Sequence, residues 1–307
     1  MSKKIIFMGT PMFAVPILKS LYQNGFLVSV VYTQPQQRSH RGQKFNKSPI
    51  QNIAETLNID TRTPEKFKDN KEEFDYLKKL DADLAIVVAY GQIIPKELLE
   101  LTKKGFINVH GSILPKWRGA APIQRSIMNL DKETGISIMK MREKLDTGPI
   151  SNVYKIKINQ NDNAQDISEK LSQLASEKLL DYLDKILDGE VKFSEQDHTK
   201  ATYAKKIEKQ EGLVDWNNSA EKILGQINGL FPFPGAFFLY KGERYKITKS
   251  EIGSGRGKAG EVLSDQLEIA CGNNLSIKVL EIQRQGKKTQ KIGEFMLGSQ
   301  IKKGLFI

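Results

Sequence analysis

Asn108 and His110 stand two residues apart in the run FINVH, Phe106–His110, just ahead of the Gly/Pro-rich loop GSILPKWRGAAP. Residues two apart on a strand share a face. A carboxamide beside an imidazole offers a donor for an oxygen gaining negative charge and a group that exchanges protons near neutral pH. A lone histidine is ordinarily a satisfied structural residue; Asn108 beside it and the loop after it favour the chemical reading. An imidazole at work usually has a carboxylate to orient it. Asp146, in the turn LDTGP after the strand-like run Ile136–Met141, is the best candidate. Asp before Thr-Gly-Pro is also good Asx-turn chemistry, and spacing leaves these two readings even. His40 and His198 are weaker candidates, one in a basic loop and one in the stretch between the two halves of the chain. No second histidine or acidic cluster accompanies His110, so no metal is expected. The single cysteine, Cys271, excludes an internal disulfide and a cysteine-based metal site.

Such residues need a scaffold that presents them. Strand-like runs at Lys4–Met8, Leu27–Tyr32, Leu84–Ala89 and Phe106–His110 alternate with helix-like runs at Ala14–Asn24, Glu72–Leu80 and Ala120–Asn129. Ser48-Pro49 supplies an N-cap and a first-turn proline for a helix to about Leu57, and Pro95 opens another to about Thr102. Ile136–Met141 and Ile150–Ile158 read as strands, and Ala164–Leu187 as the clearest helix. The alternation implies an α/β domain with a Rossmann-like, doubly wound, mostly parallel sheet. Ligands in such sheets bind outside the carboxyl ends of the strands, where His110 lies. The first such loop, Gly9-Thr10-Pro11, lacks a GxGxxG pattern, and Pro11 removes a backbone donor, which argues against a dinucleotide. After Gly189 the texture changes. Ala236–Tyr240, Tyr245–Lys249, Leu267–Ala270 and Ser276–Ile282 are short strand-like pieces between polar turns, as in a small antiparallel β-barrel. The expected division is a catalytic domain over 1–189, a linker over 190–207 and a barrel over 208–307.

The 307 residues carry 47 Lys and Arg against 36 Asp and Glu, a formal charge of +11. A basic balance marks either an anionic partner such as nucleic acid or a solvated surface. The N-terminal run MSKKIIFMG has no secretory or transit character, and no apolar run approaches the ~18 residues that span a membrane. A cytoplasmic protein is expected. The loop Thr33–Pro49 holds Arg38, Arg41, Lys44 and Lys47 and no acidic residue. It is long for a strand–helix connection, which favours a phosphate-contacting arm. Residues 200–307 hold 18 Lys and Arg against 11 Asp and Glu. The excess therefore sits in that loop and in the C-terminal part.

The run NVHGSILPKWRGAAPIQ, with DTGP further on, resembles the signature of the folate-dependent formyltransferases. The segments IIFMGTPMFAVPIL, VVAYGQIIP, ATYAKKIEKQEGLVDW and GLFPFPGAFF extend the likeness over the whole chain, in the order found in the methionyl-tRNA formyltransferase family. That resemblance implies a Rossmann-like domain followed by an OB-like barrel. It implies transfer of a formyl group from 10-formyltetrahydrofolate, a cosubstrate, to the α-amine of methionine on initiator tRNA, by a monomer without a metal. The family's catalytic Asn–His–Asp set falls on Asn108, His110 and Asp146. Its folate pocket falls on Gly91, Gln92 and Ile94, on Ser112, Ile113, Leu114 and Pro115, and on Arg142, Glu143, Lys144 and Leu145. Its basic, tRNA-contacting insertion falls on Arg38, Arg41, Lys44 and Lys47, although Gln43-Lys44 stands where the family has a run of lysines. The barrel is implied to bind tRNA as well.

Formyltransferases acting on a sugar-nucleotide amine share both domains, but give no reason for four cations without an anion in one loop. A glycinamide ribonucleotide formyltransferase would end near residue 200. A formyl-folate hydrolase uses water and needs no large basic surface. An RNA-binding protein that had lost catalysis would have no use for Asn108, His110 and Asp146.

Overall fold

The computed structural model describes residues 3–39 and 44–307. Their contacts group them into two compact units: Met1–Ala120 with Gly135–Ile156 and Ser168–Tyr203, and Ala121–Thr134 with Lys157–Ile167 and Ala204–Ile307. The stretch expected as a linker thus divides at Tyr203, and the helix Pro122–Met128 groups with the C-terminal part.

The first unit is built on a seven-stranded sheet in the order Ile150–Lys157, Glu133–Lys140, Phe106–His110, Leu84–Val88, Lys4–Gly9, Leu27–Tyr32, Thr61–Arg62. The strands from Phe106–His110 to Thr61–Arg62 pair in parallel. All five residues of Leu84–Val88 are buried, as a strand covered on both faces requires. Helices Val15–Gln23, Pro49–Thr56 and Lys71–Leu80 follow their strands. Ser48 caps the second, accepting from the Gln51 N–H at 2.9 Å, with Pro49 in the first turn. Ile6, Met8, Tyr32, Phe67, Leu77 and Phe106 belong to one continuous core. The helix expected from Pro95 to Thr102 stops early, spanning Lys96–Leu99. The reason is non-local: the Lys103 and Lys104 N–H groups donate to Ala82 and Asp83 carbonyls instead of continuing a helix.

One pairing bears directly on the site. Phe106–His110 and Glu133–Lys140 run antiparallel, with His110 opposite Ser137 and Ile107 opposite Lys140. The loop after Lys140 therefore leaves at the end of the sheet away from His110. It must fold back for Asp146 to reach the Asn108–His110 pair.

The second unit carries a curled antiparallel half-barrel in the order Ala236–Tyr240, Glu243–Gly253, Ser276–Arg284, Glu268–Ala270, with Gln290–Lys291 also on Ser276–Arg284. Glu243–Gly253 is longer than the expected Tyr245–Lys249, because pairing continues through two register shifts between Ile247 and Ser250. Such shifts bend a strand. Trp216, Phe238, Tyr245, Val279 and Phe295 fill the core. Helix Ala220–Leu230 packs closely on Pro122–Met128: a Cβ on Gly229 would lie 2.6 Å from Met128 Cγ, and one on Gly225 would lie 2.7 Å from Leu130 Cδ2.

Candidate active site

Asn108, His110 and Asp146 come together in the first unit. The two strand residues do so through the alternation of Phe106–His110. Asp146 reaches them from the folded-back loop, with a positive φ of 51°. His110 and Asp146 are both buried, 7% and 9% exposed. The His110 Nδ1 lies 3.8 Å from Asp146 Oδ2, and the Asn108 amide donates to Asp146 Oδ1 over a long 3.5 Å. Asp146 Oδ2 also accepts the Gly119 N–H at 2.8 Å. The carboxylate is thus oriented by a backbone donor and faces both candidate groups.

The other imidazole nitrogen, Nε2, lies 3.0 Å from the Trp117 carbonyl. A carbonyl only accepts, so Nε2 carries the proton, and the tautomer follows from that partner. In the neutral ring Nδ1 then holds the lone pair, facing a carboxylate too distant for a hydrogen bond. A proton arriving at Nδ1 creates an imidazolium opposite that carboxylate.

The loop after His110 is held from below. Ser137 donates its hydroxyl to the Ser112 carbonyl at 2.7 Å and accepts the Leu114 N–H at 3.0 Å. Ser112 Oγ donates to the Lys116 carbonyl at 2.6 Å, and the Leu114–Pro115 peptide is cis. Trp117 takes a positive φ of 61°, which aims its carbonyl at His110.

The residues carried over for folate fall on three loops of this unit. In the loop after Leu84–Val88, Tyr90 O accepts from Thr10 Oγ1 at 2.8 Å and from Gln34 Nε2 at 3.2 Å. The loops after three adjacent strands are so tied together. Burial raises the Tyr90 hydroxyl above its ordinary pKa, so it stays neutral. Gly91 has φ +85°, a conformation suited to glycine. The Gln92 amide donates to the Pro64 carbonyl at 2.8 Å, while its buried Oε1 has no hydrogen-bond partner. Ile94 is buried, whereas Ile93 is 84% exposed. In the third loop Arg142 forms a two-pronged pair with Glu195 at 2.5 and 2.9 Å, Glu143 and Lys144 are exposed, and Leu145 is 66% exposed.

Of the four cations in the basic loop, Arg38 and Lys44 lie on the short hairpin of Gln37–Ser39 with Lys44–Asn46. Arg41 lies outside the described residues. Lys47 pairs with Glu55, at 2.6 Å, on the following helix.

Sequence reasoning missed a second set of residues. Arg118 is 2% exposed and Gln196 6% exposed, and they hydrogen-bond one another. Gln196 also donates to the Asp146 and Gly148 carbonyls. Thr202 Oγ1 accepts the Trp117 N–H at 2.9 Å. No local pattern in a polar stretch announces these contacts, which join residues 48 to 85 positions apart. Among the described residues no group of three or more His, Cys, Asp or Glu could hold a metal, and no helix is long and apolar enough to cross a membrane.

Residues 3–183 match the formyl transferase family, and residues 206–300 match the formyl transferase C-terminal domain. The methionyl-tRNA formyltransferase of Pelagibacter ubique (strain HTCC1062) is 66% identical over 304 residues, which cover 99% of this chain and 98% of that protein. The methionyl-tRNA formyltransferase of Chelativorans sp. (strain BNC1) is 41% identical, covering 99% of each. Among solved structures, an N-formyltransferase from Helicobacter canadensis, in complex with folinic acid and dTDP-3-aminofucose, superposes with a TM-score of 0.70 at 20% identity. It covers 92% of this chain and 100% of its own, and at that identity shows a shared fold. On the extent of the domain matches and of the 66% identity, the chain belongs to the formyltransferase family, among the methionyl-tRNA formyltransferases.

Proposed function

We propose that this protein transfers the formyl group of 10-formyltetrahydrofolate to the α-amino group of methionine carried by initiator tRNA, giving N-formylmethionyl-tRNA for translation initiation. The observation that carries the chemistry is the cluster of half-buried Asn108 with buried His110 and Asp146, in which Nδ1 of His110 faces the Asp146 carboxylate while Nε2 is held by the Trp117 carbonyl. The acceptor is read from the near-complete coverage at 66% identity with the Pelagibacter ubique enzyme.

The folate donor supplies the formyl carbon and a nitrogen leaving group. The structure offers it features that fit. Gln92 Oε1 is a buried acceptor without a partner, and buried acceptors of that kind are costly unless a ligand or water supplies a donor. Ile93 and Leu145 are exposed apolar side chains on two of the three carried-over loops. Gly91, Gln92, Ile94, Ser112–Pro115 and Arg142–Leu145 would hold it.

Asn108 donates an amide N–H to the formyl oxygen as that oxygen gains negative charge, an interaction stronger in the transition state than before it. The attacking amine loses a proton as its nitrogen bonds to carbon, and His110 Nδ1 receives it. Asp146 stabilises the imidazolium so formed and keeps the ring in place. The imidazolium then returns the proton to the departing nitrogen. No covalent bond to the protein is needed, and Cys271 lies buried in the half-barrel core.

Arg38, Arg41, Lys44 and Lys47 meet the phosphates of the tRNA acceptor end, and the half-barrel, within the net-basic residues 200–307, adds a second contact. The protein works as a monomer in the cytoplasm. The test is formyl transfer from 10-formyltetrahydrofolate with three acceptors: methionyl-initiator tRNA, the same tRNA uncharged, and an amino-sugar nucleotide. Product from the charged tRNA alone is expected. Product from the amino sugar alone would overturn the acceptor assignment.

A further inference from the structure

Resting on that reading of Asp146, we propose that Gln196 is a positioning residue of the active site: it fixes the Asp146 turn against the loop that holds His110. Its side-chain amide has both ends committed. Nε2 donates to the Asp146 carbonyl at 2.9 Å and to the Gly148 carbonyl at 2.7 Å. Oε1 accepts from Arg118 Nη2 at 2.6 Å and Nε at 3.2 Å. Carbonyls only accept and a guanidinium only donates, so the orientation of the amide is unambiguous.

Arg118 belongs to the loop after His110, and that loop makes the other two contacts that define the site. Trp117 O fixes the imidazole proton, and the Gly119 N–H holds Asp146 Oδ2 at 2.8 Å. The same stretch, Gln196–Thr202, grips this loop again. Thr202 accepts the Trp117 N–H on its hydroxyl and the Arg118 N–H on its carbonyl, both at 2.9 Å. Arg118 Nη2 also donates to His198 Nδ1 at 2.8 Å. One segment, anchored by the buried Gln196, therefore indexes two loops that come from different ends of the sheet.

That indexing matters because Asp146 faces His110 Nδ1 across 3.8 Å. An ångström of misplacement in a reacting constellation costs on the order of 10²-fold in rate. Asp146 also holds a left-handed backbone conformation, φ +51°, which persists when its surroundings over-determine it. Gln196 bonds the carbonyls on either side of the turn's Thr147 and supplies that determination.

The experiment is a double-mutant cycle in kcat between Gln196→Ala and Asp146→Ala, with thermal melting of each variant. Gln196→Glu accompanies it: a carboxylate still accepts from Arg118 but cannot donate to the two carbonyls. We expect Gln196→Ala and Gln196→Glu each to lower kcat about 10- to 100-fold with KM for the folate donor within about threefold. Asp146→Ala alone should lose about 10²–10⁴-fold, and the double variant no more than about threefold beyond it. Fully additive losses, or wild-type turnover in folded Gln196→Glu, would overturn the positioning role. An Asp146→Ala enzyme as fast as wild type would instead overturn the assignment of Asp146 itself, a separate outcome of the same cycle.

Discussion

Gly148→Ala tests how tightly the Asp146 turn governs the rate. A Cβ on Gly148 would lie 1.8 Å from the Lys140 carbonyl oxygen and 2.9 Å from its carbon. A carbon–oxygen contact settles at about 3.3 Å, so the two must separate by about 1.5 Å. Lys140 belongs to the strand Glu133–Lys140, hydrogen-bonded along Phe106–His110. The strand is the stiffer party, and the turn moves. Asp146 is two residues away, with Oδ2 on the Gly119 N–H at 2.8 Å. A displacement of even about 1 Å takes that contact beyond hydrogen-bonding range and opens the 3.8 Å gap to His110 further. The expected loss in kcat is about 10²-fold. Overpacking should cost about 1–3 kcal/mol of stability, which leaves the protein folded at room temperature. The assay is single-turnover formyl transfer at saturating donor and acceptor, paired with a thermal melt. A folded Gly148→Ala protein that turns over within threefold of wild type would refute the claim that this turn sets the rate.

Asn108→Ala and His110→Ala should each lower kcat by about 10²–10⁴ while the protein stays folded; turnover near that of wild type in either variant removes that residue from the catalytic set. Arg41→Ala should weaken tRNA binding, reduce the slope of log affinity against log salt by about one, and leave folate affinity unchanged; lost folate binding with normal tRNA affinity would reverse the loop assignment. Arg125 holds Glu211 through contacts of 2.5 and 3.0 Å in the second unit, and its guanidinium keeps the Glu211 carboxyl below the ordinary value of 4.5. The stabilisation from this depressed pKa is present above the unfolded value and fades as pH falls through the lower folded one. Urea unfolding across that acid range should show a shallower loss of stability with pH in Arg125→Ala than in wild type, and identical slopes would count against the pair.

The parts of the site legible in the sequence are those with a local period. Asn108 and His110 share a face because they are two apart on one strand, and a strand fixes that relation by itself. Ser48-Pro49 marks a helix start because capping is decided within four residues. Asp146 could be named as a candidate, but spacing left it even with an ordinary turn residue. Its place beside Asn108 and His110 comes from the fold-back after an antiparallel strand, and strand direction is settled by pairing partners rather than by alternation. Gln196 and Arg118 were out of reach for the same kind of reason. Their partners lie about 50 to 80 residues away, and a buried glutamine in a polar stretch carries no apolar signature. The early end of helix Lys96–Leu99 follows suit, since its stop comes from bonds to Ala82 and Asp83.

The 3.8 Å between His110 Nδ1 and Asp146 Oδ2 is informative as a distance. At about 2.8 Å the carboxylate would accept an Nδ1 proton outright, and the ring would present its other nitrogen to substrate. Here Nε2 already donates its proton to the Trp117 carbonyl, and breaking that bond would release the ring's anchor. On the proposed reading Nδ1 is therefore the nitrogen left for exchange, with a carboxylate one step removed that does not occupy the position. On the proposed reading that is what an amine acceptor needs. Its nitrogen must shed a proton while bonding to carbon, and the same proton must then reach the nitrogen that leaves. A base that receives the proton at a site open to both nitrogens serves both steps. A carboxylate bonded directly there would serve neither as well, because the position for the incoming proton would already be filled.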